Sequence, residues 1–485
     1  MSSPLTIDEK LVRSVVEEVV RALGRKPAGA NGAPAVVSST GGRNFGVFPD
    51  AASACRAAQD AFEQLRIKGI EGRVKVIELV KSIVTAKAVE WGKFEFAETK
   101  IGRLDHKIEK LQIVKLVPGV EWLRPDARSG DHGIMLEEFT PFGVVAAILP
   151  MTHSIPTLSG NIVNIVAAGN SVVFNPHPGG ARSAALAVRT YNEAIFAAIG
   201  IENLVCVIEK PTLESFDALC KAPEVKLLCV TGGPAVVAAA MKSGKRAICA
   251  GPGNPPVLVD DTVDFDKAAT NIIHGAAYDN NLLCVGEKEV FVLDSVADKL
   301  IAALSRNGAR QLNGQQLDAL TKVAFSSKPD ATGCSHPVLN RAFVGVDASV
   351  LAKHAGANVP ENTPLLFAET DANHAFVIEE QMMPMIPIVR VKTVEAGILA
   401  AQHAEHGYKH SAIIHSLNVD HMTMMARALD TTVFIKNGSC VAGLGLGGEG
   451  YLSYSIATTT GEGITNPKTF TRTRRCVMVD NLRIY

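Results

Sequence analysis

The sequence contains no CxxC pair, no apolar run long enough to cross a bilayer, no basic block and almost no net charge. Each absence removes a class of function. Nine cysteines, odd in number and scattered between 55 and 476, give neither a disulfide framework nor zinc-ligand spacing. His403 and His406 in HAEHGYKHSAIIH (403–415) lack an acidic or cysteine ligand at matching spacing, so no metal is expected. The longest apolar stretches, such as GVVAAILPM (143–151), fall far short of the roughly 20 residues that a spanning helix needs, so no membrane partner is expected. The 48 basic residues nearly cancel the 49 acidic ones, and without a concentrated positive stripe nucleic acid is not an expected partner. MSSPLTIDEK has no basic segment leading into an apolar one, and a reducing, cytosolic location is the expectation.

What is present is a chain of 485 residues, 47% hydrophobic and 20% charged, enough for two or three domains of about 100–200 residues each. The first 23 residues read as a separate unit. Thr6 and Glu9 have capping-box spacing, and Leu11, Val12, Val15, Val16, Val19, Val20 and Leu23 fill one half of a helix whose other half is polar. Residues 24–44, rich in Gly, Ala, Ser and Pro, read as a flexible linker. A tethered amphipathic helix docks on its own body, on a neighbouring subunit or on a different protein.

From Phe45 the pattern is α/β. Helical stretches at about 50–66, 71–90, 181–199 and 264–278 alternate with short β-branched runs such as GVVAAIL, SVVF, LVCVI, KLLCV, PVLV, VFVL and AIIH. That alternation predicts parallel sheets covered by helices. In LLCVTGGPAVVAAAM (227–241), Thr231, Gly232 and Gly233 lie between a strand and a helix, where backbone N–H groups can approach a pyrophosphate. Sharp strand-to-helix turns also use glycine for geometry alone. In DNNLLCVGEKEVFVL (279–293), Cys284 follows a predicted helix end and a polar loop. A lone cysteine there is a buried small hydrophobe or a nucleophile.

Taken in order, PFGVVAAILP (141–150), AAGNSVVFNPHP (167–178), VTGG (230–233), AGPGNPPVLVD (250–260), the NNLLC run, EEQMMPMIPIV (379–389) and GEGITNPKTFTRTRRCVMVDN (461–481) resemble the aldehyde dehydrogenase superfamily. Within it they are most similar to the CoA-acylating members. The resemblance runs from about residue 45 to the end. It implies an aldehyde dehydrogenase-like α/β fold, with a Rossmann-type dinucleotide-binding domain (45–122 and 143–251), a catalytic domain (252–436) and a small β oligomerisation element (123–142 and 437–485). It also implies a homo-oligomer, dimeric or tetrameric.

The resemblance implies roles as well. Cys284 corresponds to the nucleophile that holds an acyl thioester. Hydrolytic relatives carry a glutamate base in a Glu-Leu-Gly-Gly-Lys type motif, which falls on Ala250 here, and alanine cannot take a proton from water. Coenzyme A is then the expected acceptor, with NAD as oxidant and a short aliphatic aldehyde as substrate, propanal before acetaldehyde. Asn175 replaces the lysine that holds the cofactor ribose, and Pro176, His177 and Pro178 follow as in CoA-acylating relatives. His177 contacts a nucleotide or merely orders its loop. Glu380 matches the glutamate that binds the nicotinamide ribose. Thr152 and His153 are the candidate second oxyanion donors, beside the Cys284 backbone N–H. The N-terminal helix and linker resemble encapsulation peptides, implying a bacterial microcompartment and a shell-protein partner for residues 1–23. Rival expectations are an acetaldehyde-specific enzyme, an acyl-phosphate reductase and a scaffold on an inactive dehydrogenase fold.

Overall fold

The computed structural model describes residues 43–329 and 335–480. The expected helix over 1–23 and all but the end of the linker lie outside the described residues.

Runs such as Val144–Leu149 and Ser171–Pro176 are buried at every position, as strands covered on both faces must be. They build a six-stranded parallel sheet in the order Val47–Phe48, Val205–Ile208, Ser171–Pro176, Val144–Leu149, Val225–Thr231, Ala247–Ala250. The strand order reverses direction at Val144–Leu149. A doubly wound sheet opens a crevice at that point, beyond the carboxyl ends of Val144–Leu149 and Val225–Thr231. The turns that leave these two strands are Pro150–His153 and Gly232–Gly233.

A second, seven-stranded sheet follows in the order Arg310–Gln311, Leu366–Thr370, Met385–Val391, Glu289–Leu293, Pro256–Val259, Ser411–His415, Val433–Lys436, again parallel throughout. One continuous apolar core runs through both sheets, so the two are packed rather than strung together. A separate three-stranded antiparallel sheet joins Asp126–Gly130, Gly133–Pro141 and Thr471–Val479. Its last strand is an outer edge, with Val477 and Val479 exposed.

Local signals explain most boundaries. Asp50 caps the first long helix, Ala51–Ala86, by accepting from the Ser53 N–H at 2.8 Å. That helix is broken at Gly69, whose φ of 63° a side chain would resist, which accounts for two predicted helices where one merged element is found. Ala181–Ile199 and Phe265–Ala277 fall within a residue of their predicted spans.

Candidate active site

Four neighbouring strands of the second sheet, Met385–Val391, Glu289–Leu293, Pro256–Val259 and Ser411–His415, begin at one common edge. The residues just before them are Glu380, Cys284, Gly253 and His410. Parallel strand order therefore brings together groups that lie far apart in sequence. A Cβ at Gly253 would come within 2.7 Å of the Cys284 carbonyl oxygen and 2.9 Å of the His410 ring, so glycine is required there by close approach.

The loop carrying Cys284 is not the open polar turn that its composition suggests. After Phe265–Ala277, the residues Asp279, Asn280 and Asn281 take φ values of 48°, 55° and 65°, three consecutive left-handed conformations, and all three are buried. Asp and Asn tolerate that region better than most residues, yet a run of three is held only by its surroundings. Those surroundings are specific. Asp279 Oδ1 accepts from the Arg103 N–H at 2.8 Å, Asn280 Nδ2 donates to the Gly345 carbonyl at 2.9 Å, and Asn281 Nδ2 donates to the Ala276 and Glu287 carbonyls at 2.9 and 2.8 Å. Lys288 Nζ donates to the Asn281 carbonyl at 2.9 Å and to the Leu283 carbonyl at 3.4 Å, and also bonds the Asn281 side chain. The backbone on both sides of Leu282 is thus tied to one buried ammonium.

Cys284 is half-buried. Burial pushes its thiol up to about 12; the Glu380 carboxylate adds to the rise, while Lys288 and the backbone N–H groups of 284 and 285 oppose it. The carboxylate that acts on the sulfur is Glu380, not the nearer-in-sequence Glu287 or Glu289. Glu287 instead accepts from the Cys440 N–H at 2.9 Å, and burial raises its carboxyl to about 7. Glu380 is itself raised by burial and is held against the Gly253 backbone N–H.

His410 escaped the sequence reading, which singled out its neighbours His403 and His406. It is fully buried, its Nδ1 lies 2.9 Å from Ser411 Oγ, and its Nε2 has no hydrogen-bond partner among the described residues. Burial, then the Lys288 charge, lower its pKa to about 4, so the ring is neutral at ordinary pH. Its position immediately before the strand Ser411–His415, at the edge where the Cys284 loop also enters the sheet, is the signal that could have found it.

On the cofactor side, Thr231 ends its strand with its hydroxyl 2.8 Å from Ser455 Oγ, so that group is already engaged. Gly232 donates its N–H to the Ala250 carbonyl at 3.1 Å, while nothing crowds Gly233 at the start of helix Pro234–Lys242. His177 and Pro178 are exposed, and His177 Nδ1 accepts from the Gly179 N–H at 3.0 Å, which is the loop-ordering arrangement. Asn175 is buried and accepts from Ser215 Oγ at 2.6 Å. Thr152 Oγ1 lies 2.9 Å from His153 Nδ1, and burial followed by the charges of Lys110 and Lys107 holds the His153 ring neutral. Ala250 closes its strand as a buried residue with no acidic group of its own.

Leu283, the residue before Cys284, lines a small gap together with Lys110, Ile113, Tyr278, Val441 and Tyr454, among others, which is too tight to admit a water molecule.

Comparison with known proteins agrees with this arrangement. The profile of the aldehyde dehydrogenase family matches residues 46–450. The acetylating acetaldehyde dehydrogenase of Salmonella typhimurium is 42% identical over 97% of this chain and 99% of its own length. The CoA-propanoylating propanal dehydrogenase of Citrobacter freundii is 39% identical over 90% and 94%. Among solved structures, Rhodopseudomonas palustris propionaldehyde dehydrogenase with bound CoA and an acylated cysteine superposes with a TM-score of 0.87 at 40% identity, covering 91% of this chain and all of that one. A doubly wound sheet facing a second parallel sheet, with a cysteine loop at their junction and relatives matched nearly end to end, makes this chain a member of the aldehyde dehydrogenase family.

Proposed function

We propose that the protein oxidises a short aliphatic aldehyde to its acyl-CoA with reduction of NAD, propanal being the favoured substrate and acetaldehyde the alternative. The observation that carries this reading is Ala250, a buried alkyl group where a hydrolytic enzyme needs a base. The curated relatives named above, acetylating and CoA-propanoylating, support it.

The Cys284 thiolate attacks the aldehyde carbon, and the carbonyl oxygen becomes an oxyanion. The Cys284 backbone N–H and a group of the Thr152–His153 turn receive that charge. The bound dinucleotide supplies a hydride acceptor. Glu380 would hold its ribose, and Thr231, Gly232, Gly233, His177 and Pro178 would border its phosphates or those of coenzyme A. Loss of hydride from the tetrahedral carbon restores the carbonyl as a Cys284 thioester. Without a carboxylate at 250 that thioester outlasts water. The CoA thiol passes its proton to the neutral Nε2 of His410 as its sulfur attacks the thioester carbonyl, and Cys284 leaves as thiolate.

The test is NADH formation with propanal. CoA-dependent turnover giving propanoyl-CoA is expected; CoA-independent release of free propanoate would refute the reading from Ala250.

Two parts of the proposal concern assembly. The outer strand Thr471–Val479, with exposed Val477 and Val479, is the oligomerisation edge, because an unpaired strand of that kind pairs readily with another chain. Residues 1–23 carry the enzyme to a microcompartment shell protein, a reading supported by their amphipathic pattern and by the propionaldehyde dehydrogenase of a Clostridium phytofermentans fucose utilisation microcompartment, 41% identical over 91% of this chain.

A further inference from the structure

Four charged side chains are buried together outside the groups that touch substrate. Glu95, Lys107, Lys110 and Asp279 are each at most 1% exposed. They come from helix Ala88–Thr99, helix Leu104–Gln112 and the loop before Cys284. Lys110 Nζ lies 2.5 Å from Asp279 Oδ2, and Lys107 Nζ lies 4.0 Å from the same oxygen and 3.9 Å from Glu95 Oε1. Two cations and two anions balance. Burying such a set rarely stabilises a fold more than apolar residues of the same size would, so its presence asks for another reason.

The hydrogen bonds supply that reason. Both lysines donate to one backbone carbonyl, that of Thr152, at 3.2 and 3.3 Å. Glu95 accepts from the N–H groups of Ser154 and Ile155 at 3.0 and 3.4 Å. Asp279 is the first of the three left-handed residues that lead to Cys284. A glycine is required at 102 to make room for its carboxylate, since a Cβ there would collide with it and φ is +79°. The cluster therefore grips the turn after Leu149 with one hand and the nucleophile loop with the other. Because a trans peptide sets the next N–H opposite its carbonyl, drawing the Thr152 carbonyl toward the lysines turns the His153 N–H away from them. Orientation as well as distance is fixed.

We propose that Glu95, Lys107, Lys110 and Asp279 form a positioning clamp that sets the Thr152–His153 turn against the Cys284 loop, so that the oxyanion donors and the sulfur meet one carbonyl group. None of the four touches substrate. The inference rests on the reading of Cys284 as nucleophile given above.

The test is the double variant Lys110→Met/Asp279→Asn, which removes one cation and one anion and leaves Lys107 paired with Glu95. The pre-steady-state NADH burst with propanal is expected to fall about 10²-fold, the usual cost of a small misplacement of reacting groups. Thermal midpoint, apparent affinity for NAD and the rate of Cys284 alkylation by iodoacetamide are expected to stay at wild-type values. A burst at the wild-type rate in the folded variant overturns the proposal. So does a parallel fall in burst and alkylation, which would mean a merely structural role. Should the double variant not fold, Glu95→Gln, which keeps an oxygen for the Ser154 N–H while loosening Lys107, decides by the same split at a smaller factor. Cys284→Ser separates the two levels. Full activity in that control refutes the nucleophile itself, whereas an inactive control beside a wild-type clamp variant refutes the clamp alone.

Discussion

The turns at the edge of the first sheet and the loop at the edge of the second solve opposite problems. Gly232, Gly233, His177 and Pro178 form short connections whose surfaces are largely open; the Gly232 N–H is engaged by the Ala250 carbonyl and His177 by the Gly179 N–H, while the Gly233 end of helix Pro234–Lys242 is uncrowded. The loop from Asp279 to Glu289 is almost wholly buried; Asn281 and Lys288 hold its backbone, and the Asp279 and Asn280 side chains tie it to the Arg103 N–H and the Gly345 carbonyl. A cofactor that comes and goes needs groups with unspent hydrogen-bonding capacity. A sulfur that must meet a carbonyl at one angle needs a loop whose backbone is fixed.

The contrast can be broken from the buried side first. Cys284→Ser should lower both NADH formation and acyl-CoA formation by about 10⁴-fold or more, measured as steady-state rates with propanal and CoA. His410→Ala should slow CoA-dependent turnover about 10²-fold while leaving the NADH burst unchanged, because the ring serves the incoming thiol and not the hydride step. Rapid-mixing absorbance separates the two, and a lost burst would remove His410 from the acyl-transfer step. The raised thiol has a pH signature. With Cys284 pushed up to about 12, the thiolate fraction in the free enzyme climbs about tenfold per pH unit through the neutral range, so iodoacetamide inactivation should accelerate to match, without a plateau between neutral and mildly alkaline pH. A plateau near pH 7 would show that another group has lowered the thiol.

On the open side the effects should be small. His177→Ala removes an acceptor for the Gly179 N–H and should cost about 1 kcal/mol of stability, seen as a lower thermal midpoint, with at most a small rise in the apparent Michaelis constants, because His177 only borders the phosphates. A large rise in the apparent Michaelis constant for CoA or NAD would instead make His177 a ligand contact. Deleting residues 1–23 should leave turnover unchanged and abolish co-sedimentation with shells; shell association by the truncated chain would exclude that segment as the address.

Much of this was legible in the sequence. Fully apolar β-branched runs alternating with amphipathic helices allow little except covered parallel sheets; Ala181–Ile199 stops at a left-handed Gly200 and Phe265–Ala277 starts at an Asp264 cap. Cys284 was legible through the order of motifs around it. The polar loop before it was misread in character, because composition cannot tell a solvated Asp-Asn-Asn from one buried against Gly102, Arg103 and Gly345. His403 and His406 drew attention by their spacing, while His410 carried no periodic signal.

By itself the sequence determined the layer architecture and the chemical repertoire. Periodicity dictates which faces are apolar, and the presence of a thiol at 284 and the lack of a carboxylate at 250 are matters of side-chain identity. Only the tertiary structure decided which groups act on that thiol. Glu380, Gly253 and His410 meet Cys284 because their strands are neighbours, and Lys110 meets Asp279 across 169 residues of chain. Such contacts follow from strand order and burial, and the electrostatics follow from them: a carboxylate or an imidazole shifts its pKa according to what has replaced water around it, which no local pattern of residues encodes.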